Sequence, residues 1–488
     1  MIDILAILLA LGLLMFLAFR GVTLLLLAPG MALLAALLTG GLPLLAAYTQ
    51  IFMTNTGQFI IAFFPLFMLG AIFGKLMDDS GSAQAIARAV IARLGPARAI
   101  VAVVLCCGLL TYGGVSLFVV AFAIFPVAAA LFRDADIPKR LIPGTLALGS
   151  FTFTMSALPG TPAIQNAIPM PFFGTTAFAA PGLGVITGLV MFLLGSAWLN
   201  RRAARAKAAG EGYGDHADSL PARDLVMRER TQGEGFDINE LPAPAAEPAV
   251  AAGRLPSFAL ALAPVVVVVV SNFAFVELVV PRLDTSYLAE PRFGATTIQS
   301  VRGVWAIIVA LFLAILLLIA GNWRRLADLR ASLDRGADAA VLPIFNTASL
   351  VGFGAVIAAL PAFELIREGV LSIGAGNPLI SLAAAVNVLA AMTGSASGGM
   401  SIALDALGPT YVALAAETGV SLEAMHRVTA VASGALDTLP HNGAVITILG
   451  ICRLGHREAY GDIFMVGIVA PMIALIVLVT LASLFGSF

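Results

Sequence analysis

The chain has 488 residues, 60% of them hydrophobic and only 11% charged, and a mean hydropathy of +1.00. That balance excludes a soluble domain, and recurrent apolar runs of about 20 residues predict a polytopic α-helical membrane protein. The formal net charge of −1 says nothing about partners, but the lack of a basic patch argues against nucleic acid, while membrane lipid is an obligatory one.

The first 20 residues carry Asp3, lack a basic leader and a small-residue cleavage site, and read as a retained span at 2–19. Spans follow near 22–40 and 57–77, then an amphipathic stretch from Ser80 to Leu94 that is expected at the membrane surface. Residues 97–133 are apolar but interrupted by Thr111, Tyr112, Gly113, Gly114, Val115 and Ser116. A broken span lies at about 140–172, with Leu158, Pro159, Gly160, Thr161 and Pro162 at its break and Gln165 and Asn166 just beyond, before a further span at 179–199. Residues 200–255, rich in Ala, Glu, Arg, Pro and Gly without apolar periodicity, predict a disordered cytoplasmic linker between a first repeat (1–199) and a second (256–488).

The second half repeats the plan. Spans are expected near 256–276, 302–320 and 340–361, with a surface segment from Phe363 to Ile373. Residues 378–416 are interrupted from Thr393 through Gly394, Ser395, Ser397 and Gly398 to Ser401. A broken span at 425–452 and a final span at 462–486 complete the order. Gly70 matches Gly352 and Pro96 matches Pro378 across the halves, and the Gly-Gly-x-Ser motifs at Gly113 and Gly398 also correspond. Cys106, Cys107 and Cys452 lie in or beside apolar segments and indicate no disulfide framework.

Charge decides whether 97–133 and 378–416 cross the membrane or turn back. With both as re-entrant hairpins and the N-terminus outside, 18 Lys and Arg fall inside and five outside, including Arg427; four linker arginines are left out of the count. With both crossing once, the split is 11 to 12. The positive-inside rule therefore predicts two hairpins, and with them two inverted repeats.

The two breaks carry the chemistry. In the second, Asp437, Thr438, Pro440, His441, Asn442 and Gly443 interrupt an apolar run, and Pro440 removes a backbone donor. Such a break survives in a membrane only inside protein or beside a water-filled cavity, and paired breaks in two halves mark a transporter's binding site. No Lys or Arg lies in either tip or break. An anion there would face helix N-termini and hydroxyl donors instead. The candidate substrate-binding residues are Thr111, Tyr112, Gly113, Gly114, Ser116, Pro159, Gly160, Thr161, Gln165, Asn166, Thr393, Gly394, Ser395, Ser397, Gly398, Ser401 and Asn442. Asp437 and His441, one turn apart if helical, are the candidate proton carriers. His426 and His456, beside Arg427 and Arg457 at span ends, suit interfacial positions. No metal or cofactor is called for, and the sequence has neither a zinc helix nor a nucleophile elbow, since Ala396 stands at the nucleophile position of its Gly-Ser-Ala-Ser-Gly run.

In the stretch from Gly70 to Gly81, the proline-rich break from Leu158 to Pro162 and the run Gly394 to Ser397, the chain resembles the gluconate permease (GntP) family of the ion transporter superfamily. The resemblance covers nearly everything outside the linker. It implies proton symport of a small organic acid anion such as gluconate, scaffold and transport subdomains, a homodimer and a place in the bacterial inner membrane. Gluconate-type members carry an acidic residue by the first tip and a histidine in the first break, and this chain has neither there. A sodium-coupled di- or tricarboxylate or short-chain fatty acid transporter is the alternative. An intramembrane hydrolase or a channel is a more distant one.

Overall fold

A computed structural model describes residues 2–20, 22–216, 255–374, 376–440 and 442–488. Among them the chain is helical, with no strand, and seven helices are long and apolar enough to cross a membrane. The first half contains α1 (Ile2–Phe19), α2 (Leu24–Thr39), α3 (Leu44–Asp79), α4 (Ser82–Leu94), α5 (Ala99–Tyr112), α6 (Leu117–Asp134), α7 (Ile142–Ser150) and α8 (Pro181–Ala208). Three short turns of helix, Phe153–Ser156, Ile164–Ala167 and Pro169–Phe173, fill the first break. The second half contains α9 (Phe258–Arg282), α10 (Ile298–Asn322), α11 (Leu329–Asp338), α12 (Val341–Ala358), α13 (Phe363–Leu371), α14 (Pro378–Thr393), α15 (Ala396–Thr418), α16 (Leu422–Ala435), α17 (Gly443–Cys452) and α18 (His456–Phe485). Both halves thus run long span, short helix, helical hairpin, broken span, long span.

Local chemistry sets these ends. Gly394 adopts a left-handed conformation after α14, and Ser395 caps α15 by accepting from the Gly398 N–H. Asn377 caps α14 just before Pro378, Ser421 caps α16, and Asn442 caps α17. Each cap satisfies donors that hydrocarbon cannot.

The hairpins interlock the halves. Hairpin α5–α6 packs on α7 and hairpin α14–α15 on α16. The descending arm α6 also touches α17, while α15 touches Ile164–Ala167, so each hairpin meets the broken span of the opposite half. The starts of the broken spans cross over as well: α7 packs on the start of α18, and α16 packs beside the start of α8. At the first crossing the buried Asp462 accepts from Arg202 at 3.0 Å and Trp198 at 2.9 Å, with Arg140 at 3.5 Å. Arg140 also pairs with Glu211 at 2.7 Å, and that hydrogen bond holds the Glu211 carboxyl below its ordinary range.

Several expectations are corrected. Residues 200–208 continue α8, because their Ala, Arg and Lys are strong helix formers. Tyr213 is buried and its N–H donates to Asp136, so an ordered segment replaces the start of the expected linker. The rest of that linker, 217–254, lies outside the described residues, as does His441. Helix α4 does not float at the membrane surface: Ala83, Ile86, Ala87 and Val90 are buried, and it packs against α3, α5, α6 and α9, meeting α5 at 102°. α13, in contrast, buries none of its residues. In the second hairpin only Gly394 and Ser395 are non-helical, so the second Gly-Gly-x-Ser motif lies within α15. Its Gly399 serves close packing of the two arms, since a Cβ there would sit 2.2 Å from the Ala390 nitrogen.

Candidate functional site

The residues between the helices converge on one cavity of about 300 Å³. Its walls are the facing stripes of α3 (Phe67, Gly70, Gly74, Asp78) and α12 (Pro343, Asn346, Thr347, Leu350), in steps of one helical turn. Its floor is both hairpin tips and the first break. Its mouth carries Lys75, Asp78 and Arg335, with Lys75 paired to Asp79 at 2.6 Å and Asp79 held by Ser332. A smaller hollow of about 110 Å³ adjoins it, sharing Leu117, Met155, Gln165, Ser395 and Ser397 and adding the second break through Asp437 and Asn442.

Of the residues predicted from sequence, Thr111, Gly114, Ser116, Gln165, Ser395 and Ser397 line the larger cavity. Gly394, Asp437 and Asn442 line the smaller one with Gln165, Ser395 and Ser397. Asn442 joins the parts: its amide donates to the Gly394 carbonyl at 2.7 Å and to Asp437 at 3.1 Å, and its oxygen accepts from the Ala444 N–H. Asp437 lies beyond the end of α16, not on a helix, and is half-buried. The break is braced by His456, exposed as its position predicts, which donates to the Pro440 carbonyl at 2.9 Å, and by Tyr460, which donates to the Thr438 carbonyl at 3.2 Å.

The remaining predicted residues within the described segments line neither cavity and hold the elements in place. Tyr112 donates to the Pro159 carbonyl at 2.7 Å. Gly113 sits against Val265, and Gly160, at φ +84°, lies under Phe178. Thr161 is fully buried and accepts from the Ala163 N–H. Thr393 and Ser401 donate back to the Leu389 and Ser397 carbonyls, and Gly398 packs on Leu350. Asn166 is buried in a polar cluster with His426 and Arg427.

That cluster overturns the interfacial reading of His426 and Arg427. Both are fully buried. Arg427 has no carboxylate partner among the described residues and spends its donors on the carbonyls of Ala179 (2.6 and 3.1 Å), Ser156 (3.4 Å) and Ala177 (3.4 Å), and on Asn166 at 3.1 Å. Asn166 Oδ1 also accepts from His426 Nε2, which leaves His426 Nδ1 to accept from Thr175 at 2.6 Å. The guanidinium thus neutralises the carbonyls freed by the first break.

Sequence reasoning also passed over Asn346 and Thr347. Thr347 lies 3.5 Å from Ser397, which sets this turn of α12 beside the second tip. The available signal was their place in mid-span, on one stripe with Pro343 and Leu350.

The positive ends of α6 and α15 both reach this region, through Leu117 and Ala396. Neutral donors, two helix N-termini, the carboxyls of Asp78 and Asp437 and the cations Lys75 and Arg335 surround a space the size of a small metabolite.

No protein-family model matches the chain. The YdaH transporter of Alcanivorax borkumensis, whose crystal structure is described as having an unusual topology, superposes with a TM-score of 0.56 over 88% of each chain at 14% identity, which shows a shared fold. YxjC of Bacillus subtilis strain 168, an uncharacterised transporter, is 43% identical over 495 residues, covering 99% of this chain and 100% of that protein. With near-complete coverage at that identity, the chain is a multi-pass membrane transporter and belongs to the family of YxjC.

Proposed function

We propose that the chain is a secondary active transporter of the bacterial inner membrane that takes up a small organic acid anion, a hydroxy-carboxylate of the gluconate type, together with a proton. The observation that carries this reading is the convergence of both hairpin tips and both breaks on adjoining cavities, with hydroxyl and amide groups beside Lys75, Asp78 and Arg335 in the larger and Asp437 in the smaller. The carboxylate would rest on the N-terminal ends of α6 and α15, where helix dipoles attract it without the tight hold of a buried cation. Asp437 would carry the proton, being the carboxyl that lines the hollow next to that site. The cation count assigns the end bearing Lys75 and Arg335 to the cytoplasm.

Proteoliposomes test this. The wild type should accumulate labelled gluconate or a shorter hydroxy acid when a pH gradient is imposed without sodium, and should exchange it in counterflow. Asp437→Asn should keep counterflow while losing at least about 90% of accumulation, since the amide keeps the shape but cannot titrate. Full accumulation by Asp437→Asn removes Asp437 as the carrier, and accumulation that requires sodium removes proton coupling.

A further inference from the structure

The polar groups of the larger cavity are not all satisfied. Asn346 is 4% exposed, and neither its Oδ1 nor its Nδ2 has a hydrogen-bond partner among the described residues. The same holds for Thr111 Oγ1 and Gln165 Oε1. These three side chains come from three separate elements, α12, the end of α5 and the first break, yet all belong to residues that line one cavity. A buried polar group left unpaired is costly, and three around one cavity point to a ligand that pairs them.

Their chemistry narrows the ligand. The amide oxygen of Asn346 accepts only, and since both ends of that amide are unpaired, exchanging them leaves the same need. A deprotonated carboxylate without other polar groups offers no donor to it, whereas a hydroxyl offers both a donor and lone pairs for Nδ2. A second carboxylate is poorly served, because of the two cations lining the cavity Lys75 is already paired with Asp79 and Arg335 is exposed, while the carboxyl of Asp78 lines the same space.

We propose that Asn346, unpartnered on α12 opposite Gln165 and Thr111, is a specificity-determining residue that selects monocarboxylates bearing a hydroxyl over their deoxy analogues. This rests on the proposed function above and adds to it the group that reads the substrate's hydroxyl.

The test is competition against uptake by wild type and variants in proteoliposomes. Two series serve as probes: glycerate, lactate and propionate, and the 2-, 3- and 4-hydroxybutyrates against butyrate, with gluconate alongside. The wild type should prefer the best hydroxylated member of a series over its deoxy analogue by about tenfold or more, the scale set by one buried unpaired group. Asn346→Leu, close in volume but apolar, should reduce that ratio to within about threefold by weakening the hydroxylated acid while the deoxy acid competes as well or better. Asn346→Ala gives the same comparison should the leucine variant fail to insert, and Asn346→Gln should restore part of the preference. A ratio unchanged in whichever variant inserts overturns the assignment. A wild type that takes up deoxy acids as well as hydroxylated ones overturns it too while leaving acid transport standing; one that takes up neither brings down both.

Discussion

Gly114 shows how narrow the tolerances are at the floor of the cavity. Its φ is +94°, and a Cβ there would lie 2.9 Å from Pro162 Cγ. The residue is therefore both strained for any L side chain and pressed onto the first break. Gly114→Val should lower uptake at least about tenfold with near-normal membrane insertion, because backbone strain of about 1–2 kcal/mol and the clash fall on the joint between tip and break. Parallel measurement of uptake and of monodisperse protein in detergent checks this, and normal uptake at normal abundance would contradict it. At this scale the sequence was legible wherever a break in apolar pattern exposed polar residues: Ser116, Gln165, Ser395, Asp437 and Asn442 all reach the cavities. Asn346 was not legible in that way. It sits in an unbroken helix, where a lone Asn reads equally as packing, and only the facing stripe of α3 makes it part of a cavity wall.

Between elements, the decisive joint is the one Arg427 makes from α16 to the first break. Its guanidinium serves four acceptor groups on a segment that no regular helix closes. Arg427→Leu would bury those acceptors unpaired, and at about 1–3 kcal/mol for each group it should lower stability by about 3 kcal/mol or more. A drop in Tm and in yield of folded protein reads it out. Arg427→Lys should rescue little, since a single ammonium cannot span the fork that a guanidinium fills. An undiminished Tm in Arg427→Leu would show the clamp to be idle. The order of elements followed from apolar runs and from Pro and Gly, but some ends did not: α3 begins at Leu44 where 57 is expected, and α8 ends at Ala208 where 199 is expected. What failed was the assumption that polarity near a span end means a surface. Arg427 is buried and helix α4 buries one face because neighbouring elements fold over them, a tertiary fact that apolar periodicity does not encode.

For the whole molecule, the order of elements matches between the halves, the charge count predicts that the halves are inverted, and labelling decides it. The native Cys106, Cys107 and Cys452 are buried, so an introduced cysteine reports cleanly. Glu290→Cys, in the exposed connection after α9, should react with a membrane-impermeant maleimide added to intact cells, and Lys207→Cys, at the exposed end of α8, should react only after permeabilisation. Reaction of both from outside would refute the topology. The crossed packing of the halves also sets an order of events during synthesis. Arg427 follows Ala179 by 248 residues. At about 5–20 residues per second, the ribosome needs roughly 10–50 s to cover that distance. Through that interval the first break stands in the membrane with its carbonyls waiting for a guanidinium not yet made, so the half synthesised first is the half completed last.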